Sequence, residues 1–228
     1  MPGTSRSLDR GLTWGCDCLI FSISRKARKG VTRLGAMSHG PFWIRRPRPT
    51  RLAQLLDEQR SASLSYPEVG ATAGHLPSGY HTVWEALVLG RGQGVFERAA
   101  EGIRAWTPQR GAGIDLVPPR PELAAGESLL LSFRSFPFHV TAACRVVYVV
   151  NEPDRYGFGY GTLPLHPEAG EEAFIVERDG EGEVRFTIIA FSRPHVLLSR
   201  LGAPVARRVQ ASVTRRYLEG LAEAVKRP

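Results

Sequence analysis

The hexapeptide Tyr156-Gly157-Phe158-Gly159-Tyr160-Gly161 alternates an aromatic ring with a bare backbone three times over. In extended chain alternate residues face opposite sides, so the three rings share one face and the three glycines the other. Glycine weakens a strand interior and has no side chain to pack, so three in register mean that something approaches the backbone closely there. A helix or a ligand would serve, and a C-terminal helix is the expected occupant of the glycine face.

Working outward, strand patterns separated by turn residues cover 114–117, 128–133, 138–150, 156–163, 171–178 and 183–191. Asp179-Gly180-Glu181-Gly182 joins the last two as a hairpin. An earlier strand at 83–89 leads through Gly90-Arg91-Gly92-Gln93-Gly94 into a helix with Phe96, Ala99, Ala100, Ile103 and Trp106 on one face, stopped by Pro108. That turn lacks the lysine and Ser/Thr of a phosphate loop and reads as a plain turn. About seven strands, six of them consecutive on short loops, give an antiparallel meander in an α+β domain.

The chain ends in a helix. Leu201, Val205, Val209, Val213, Tyr217, Leu221 and Val225 recur every fourth residue, with Arg207, Arg208, Arg215 and Arg216 off that stripe and Pro204 suited to the first turn. One apolar stripe must be buried, and a strongly curved sheet is the surface large enough to take it.

The 228 residues, 43% hydrophobic, suffice for one folded domain. Residues 1–36 lack periodicity and hold seven Lys/Arg against Asp9 and Asp17, a net of +5. Of the formal +8 only +3 then belongs to the remainder, ordinary for a globular domain. The expected organisation is a disordered extension over 1–36, with translation starting at Met37, a short helical lead-in over 37–65 that includes Leu52, Leu55 and Leu56, and the domain proper over 66–228. Cys16, Cys18 and Cys144 form no disulfide framework, and no span or export signal is present in the sequence, so the cytoplasm is the expected compartment. Cys16 and Cys18 have no second ligand pair at metal spacing, and no cofactor or metal is expected.

The order strand, helix, antiparallel strands, long final helix resembles the helix-grip fold of START-like and birch-pollen-allergen-like proteins. The segment 66–225 resembles, more narrowly, an uncharacterised family of bacteria and plants, domain of unknown function nineteen-ninety. The matching residues include Tyr66-Pro67-Glu68-Val69-Gly70-Ala71-Thr72, Pro77-Ser78-Gly79-Tyr80, Leu89-Gly90-Arg91-Gly92 and Arg145-Val146-Val147-Tyr148. Further along come Phe158-Gly159-Tyr160-Gly161-Thr162-Leu163-Pro164, His166-Pro167-Glu168, Gly170-Glu171-Glu172-Ala173-Phe174 and Phe191-Ser192-Arg193-Pro194. The resemblance implies an elongated cavity between sheet and last helix, and no known activity.

Candidate binding residues are Tyr148, Tyr156 and Tyr160, whose phenols could orient a ligand, with His166 and Glu171 in the polar loop after the aromatic strand, and Arg193, placed to pair with Glu171 or Glu172 and hold an anionic head group. The leading expectation is a binder of an apolar small molecule or lipid in the cavity. The alternatives are an enzyme with His166 and Glu171 in acid/base roles, and a nucleic-acid or partner binder acting through the basic tail and helix arginines. No Gly-x-Ser-x-Gly elbow is present and Cys144 lies in an apolar strand, so covalent catalysis is not expected, and with +5 of the +8 charge in residues 1–36 no specific nucleic-acid recognition is expected of the domain.

Overall fold

From residue 128 to residue 194 each strand is joined to the next by a short turn, and that part of the sheet therefore runs in chain order. The structure, a computed structural model, describes residues 40–195 and 203–226, and in the last helix the side chains from residue 210 onward. The expectations for 1–36 and for a start at Met37 fall outside the described residues.

The elements are β1 (Phe42–Trp43), α1 (Pro49–Arg60), a single 3-10 turn (Ala71–Ala73), β2 (His81–Arg91), α2 (Gln93–Arg104), α3 (Thr107–Gly111), β3 (Asp115–Val117), β4 (Ser128–Ser135), β5 (Phe138–Glu152), β6 (Arg155–Thr162), β7 (Glu168–Arg178), β8 (Glu183–Pro194) and α4 (Ala203–Lys226). The sheet order is β2-β8-β7-β6-β5-β4-β3, with β1 on β5, and every pairing is antiparallel. This open, curved sheet with a long helix across one face is the helix-grip arrangement.

Both faces of the sheet are covered. On the concave face α2, α3 and α4 close over Phe158, Tyr160, Phe174, Val176, Phe186 and Ile188, with Tyr217, Leu221 and Val225 of α4 buried against them. On the convex face Leu52, Leu55 and Leu56 of α1 pack on Leu130, Ala143, Leu163 and Leu165. Arg145 fastens α1 there by donating to the carbonyls of Gln59 (3.1 Å) and Arg60 (2.9 Å), satisfying acceptors that a helix C-terminus leaves free.

Two details depart from the sequence expectations. The helix of residues 93–104 ends before Trp106, which adopts a left-handed backbone (φ 60°), and Pro108 sits in the first turn of α3 instead of stopping α2. A left-handed conformation is costly for a bulky residue, and here it swings the indole into the core, 1% exposed and 4.7 Å from the Phe158 ring. The second departure is larger: α4 lies over the aromatic face of Tyr156, Phe158 and Tyr160, not over the glycines. The glycine face points the other way and is filled by two tyrosines. A Cβ on Gly159 would stand 2.5 Å from Tyr148 Cε1, and one on Gly161 would run into the Tyr66 hydroxyl.

Candidate functional site

The six candidate residues do not converge on one site. Tyr148 and Glu171 meet on the convex face, in a buried clamp that holds the segment 66–72 to the sheet. Glu171, 2% exposed, accepts from Tyr66 Oη (2.5 Å) and the Gly70 amide (2.7 Å) at Oε2, and from the Thr72 amide (3.0 Å) and Thr72 Oγ1 (2.5 Å) at Oε1. The turn can offer both amides because Gly70 takes a left-handed conformation (φ 86°), and such successive N–H groups make a natural anion nest. Tyr148 Oη reaches Thr72 Oγ1 at 2.8 Å and its ring covers Gly159. Burial, and then the carboxylate beside it, push the Tyr66 phenol well above its ordinary range. Every Glu171 oxygen is thus occupied by the chain itself.

Arg193 lies exposed on the same outer side, its guanidinium 4.9 Å from the centre of the Tyr80 ring, and Tyr80 donates to Glu68 (2.6 Å). It meets neither Glu171 nor Glu172. His166 is half-buried in the β6–β7 turn, Nδ1 3.0 Å from both the amide and the carbonyl of Glu168, so it can accept from one or donate to the other. Burial lowers its pKa to about 4, and the imidazole is neutral at pH 7. Tyr156 is on the concave face, beneath Arg104, whose guanidinium lies 4.8 Å from the ring centre.

Tyr160 is the candidate that leads to a site. Across the sheet it stands opposite Glu172, to whose Oε2 it donates at 2.6 Å. Glu172 is half-buried on the concave face, and burial raises its pKa to about 7, with the hydrogen bond from Tyr160 opposing and the charge of Glu168 adding to the shift. Burial pushes the phenols of Tyr160 and of Tyr217 on α4 well up, with the Glu172 carboxylate adding to both shifts. Burial also raises the pKa of Glu168, with Ser192 opposing the shift.

The floor beneath α4 changes in size along the helix. One row of cross-strand neighbours is Ile188, Phe174, Phe158 and Val149, all large. The next is Ala190, Glu172, Tyr160 and Val146. The third holds Ser192, Gly170, Thr162 and Cys144, all small. Tyr217 stands over the aromatic rows, its ring 5.2 Å from that of Phe174, whereas Gln210 stands over the small row, Nε2 3.4 Å from Ser192 Oγ. Glu172 lies where the floor steps from large to small.

Sequence reasoning named Glu172 in the polar cluster and as a partner for Arg193 but not as a binding residue, because alternation along β7 separates two sets, Glu172-Phe174-Val176 and Glu171-Ala173-Ile175, and both are apolar apart from their glutamates. The available signal was the register of Glu172 with the ring of Tyr160. Among the described residues no three His, Cys, Asp or Glu are grouped to hold a metal ion, and no helix is long and apolar enough to cross a membrane.

Residues 65–220 match the model of a family described as a domain of unknown function, DUF1990. The chain belongs to this family. A UPF0548 protein of Deinococcus radiodurans is 33% identical over 195 residues, covering 80% of this chain and 98% of its own. A UPF0548 protein of the amoeba Dictyostelium discoideum is 25% identical over 191 residues, covering 74% and 88%. The family thus reaches beyond the bacteria and plants named above. Among solved structures, a hypothetical protein of Helicobacter pylori shares the fold with a TM-score of 0.50 at 10% identity, over 72% of this chain and 96% of that one.

Several of the motif residues quoted above are fasteners of the convex face: Tyr66, Gly70, Thr72 and Tyr148 around Glu171, Tyr80 under Arg193, and Arg145 at the end of α1.

Proposed function

We propose that this DUF1990 protein binds a small, largely apolar molecule between the concave sheet face and the N-terminal half of α4, with Glu172 and Tyr160 at the polar end of the site. The observation that carries the reading is the step in the floor, from Phe158 and Phe174 to Ala190, Ser192 and Cys144, at a point where a hydrogen-bonded carboxyl keeps part of its surface open. A mainly apolar concavity with few convergent polar groups is what a small-molecule site requires. Glu171 and Arg193 have no part in this reading, since both are engaged on the other side of the sheet. A reducing, cytoplasmic setting accords with the free, buried Cys144 thiol, and no nucleic-acid partner is needed to account for the domain.

Ala190→Trp tests the site by filling it. Adding an indole to a close-packed core costs roughly 1–3 kcal/mol or more through overpacking. In an open space it leaves the urea midpoint unchanged or raised and abolishes any small molecule retained by the purified protein in native mass spectrometry. A midpoint lowered as overpacking demands would show that no space exists beside Glu172, and the reading would fail.

A further inference from the structure

Taking that binding reading as its basis, we infer that the ligand carries a positive charge, as an organic ammonium with an apolar body, and that Glu172 receives it. Among the described residues the titratable groups facing Glu172 are Glu168 on its own strand, Tyr160 on β6, Cys144 on β5 and Tyr217 on α4, and none of these is a cation. His81 of β2, in register with Ser192 of β8, is the basic group that bears on Glu168. Among the described residues neither glutamate forms an ion pair, whereas nine other pairs join acidic and basic side chains elsewhere on the molecule.

The group is not only acidic. Tyr160, Phe174 and Tyr217 stand around it, with Tyr160 and Phe174 at 5.5 Å and Phe174 and Tyr217 at 5.2 Å between ring centres. Aromatic faces attract cations, and on this same side of the sheet Arg104 already lies over Tyr156. A ligand ammonium would supply the countercharge that Glu172 lacks among the described residues and would turn its half-buried carboxyl into one member of an ion pair. A fatty acid or other anion would meet the carboxyls of Glu172 and Glu168, with Arg193 out of reach on the outer face. The anionic head group expected from the sequence is therefore replaced by a cationic one.

Binding a cation selects the ionised carboxylate, so affinity should fall once Glu172 holds a proton. The sign is fixed by linkage: below the pKa of the free site, near 7, each unit of pH costs about tenfold in affinity for a cation and nothing for a neutral ligand.

The test uses the full chain and three probes of matched shape, naphthylmethylammonium, naphthylmethanol and naphthylacetate, titrated calorimetrically between pH 5.5 and 8. At pH 8 the ammonium should bind at least about tenfold more tightly than the acetate, and Glu172→Gln should remove that preference while leaving the alcohol unaffected. The variant keeps an acceptor for Tyr160, so its fold is preserved, as circular dichroism would verify. Binding of all three probes alike, or best binding by the acetate, overturns the cationic ligand and leaves the pocket standing. Binding of none of them, with the parent protein folded, removes the pocket and the inference together.

Discussion

Glu171 and Glu172 are neighbours in sequence and serve opposite faces of one strand. Glu171 is spent on structure, its two oxygens taking four hydrogen bonds, while Glu172 takes one from Tyr160. The same division runs through the alternating stretch of β6, where the rings build the core and the glycines make room for Tyr148 and Tyr66. Gly159→Val tests that room. By strand propensity alone valine stabilises by a few tenths to about one kcal/mol. Against a tyrosine that is held by Thr72 at 2.8 Å, the added carbons instead overpack the contact, and we expect a loss of roughly 1–3 kcal/mol in urea unfolding. The partner is identifiable by a double-mutant cycle: Tyr148→Ala should relieve most of the loss, because the clash is with its ring. If Tyr217→Ala relieved it equally, the glycines would be facing α4 after all.

At the scale of elements, the strands were legible because they are apolar runs, mostly rich in β-branched and aromatic residues, set off by turn residues as in Asp179-Gly180-Glu181-Gly182 between β7 and β8. The two-residue β1 was not, since two residues carry no period. Which face α4 would take was illegible for a physical reason: α1 and the 62–80 segment cover one side and the other helices the opposite one, so both sides of β6 and β7 are buried and polarity does not tell them apart. The convex clamp was equally hidden, because it joins Tyr66 to Glu171 across 105 residues. The contact of α3 with α4 shows the same close approach in helical form. A Cβ on Gly111 would stand 2.8 Å from the Gly220 Cα, backbone against backbone, whereas one on Gly102 would meet the end of the Leu221 side chain. Alanine improves helix propensity by about 1 kcal/mol over glycine. We expect Gly111→Ala nevertheless to lower stability, by about 1–3 kcal/mol, and Gly102→Ala to cost less, because a side-chain tip yields and a helix backbone does not. Equal thermal midpoints for Gly111→Ala and the parent would mean that α3 and α4 are free to separate.

For the molecule as a whole, two groups close together in sequence bend the stability curve in opposite directions. His166 is held near pKa 4 by burial, below its unfolded value of 6.5, so the folded state takes up its proton later than the unfolded chain does, and stability is lost as pH falls from about 6.5 to 4. Glu172 is raised to about 7 from 4.5, so the folded state keeps its proton longer, and stability is lost as pH rises from about 4.5 to 7. Between 4.5 and 6.5 the two slopes have opposite sign and comparable size, and they largely cancel. Removing either group should expose the other. Relative to the parent, Glu172→Gln should gain stability as pH rises through this window, and His166→Asn should gain it as pH falls, each by an amount on the order of 2 kcal/mol across the window. Urea midpoints at pH 4.5, 5.5, 6.5 and 7.5 for the three proteins measure both differences, and subtraction from the parent removes the common titration of Glu168 and the surface groups. A Glu172→Gln difference that stayed constant with pH would mean that the carboxyl is solvated like a surface glutamate, and the desolvated site beneath α4 would lose its physical basis.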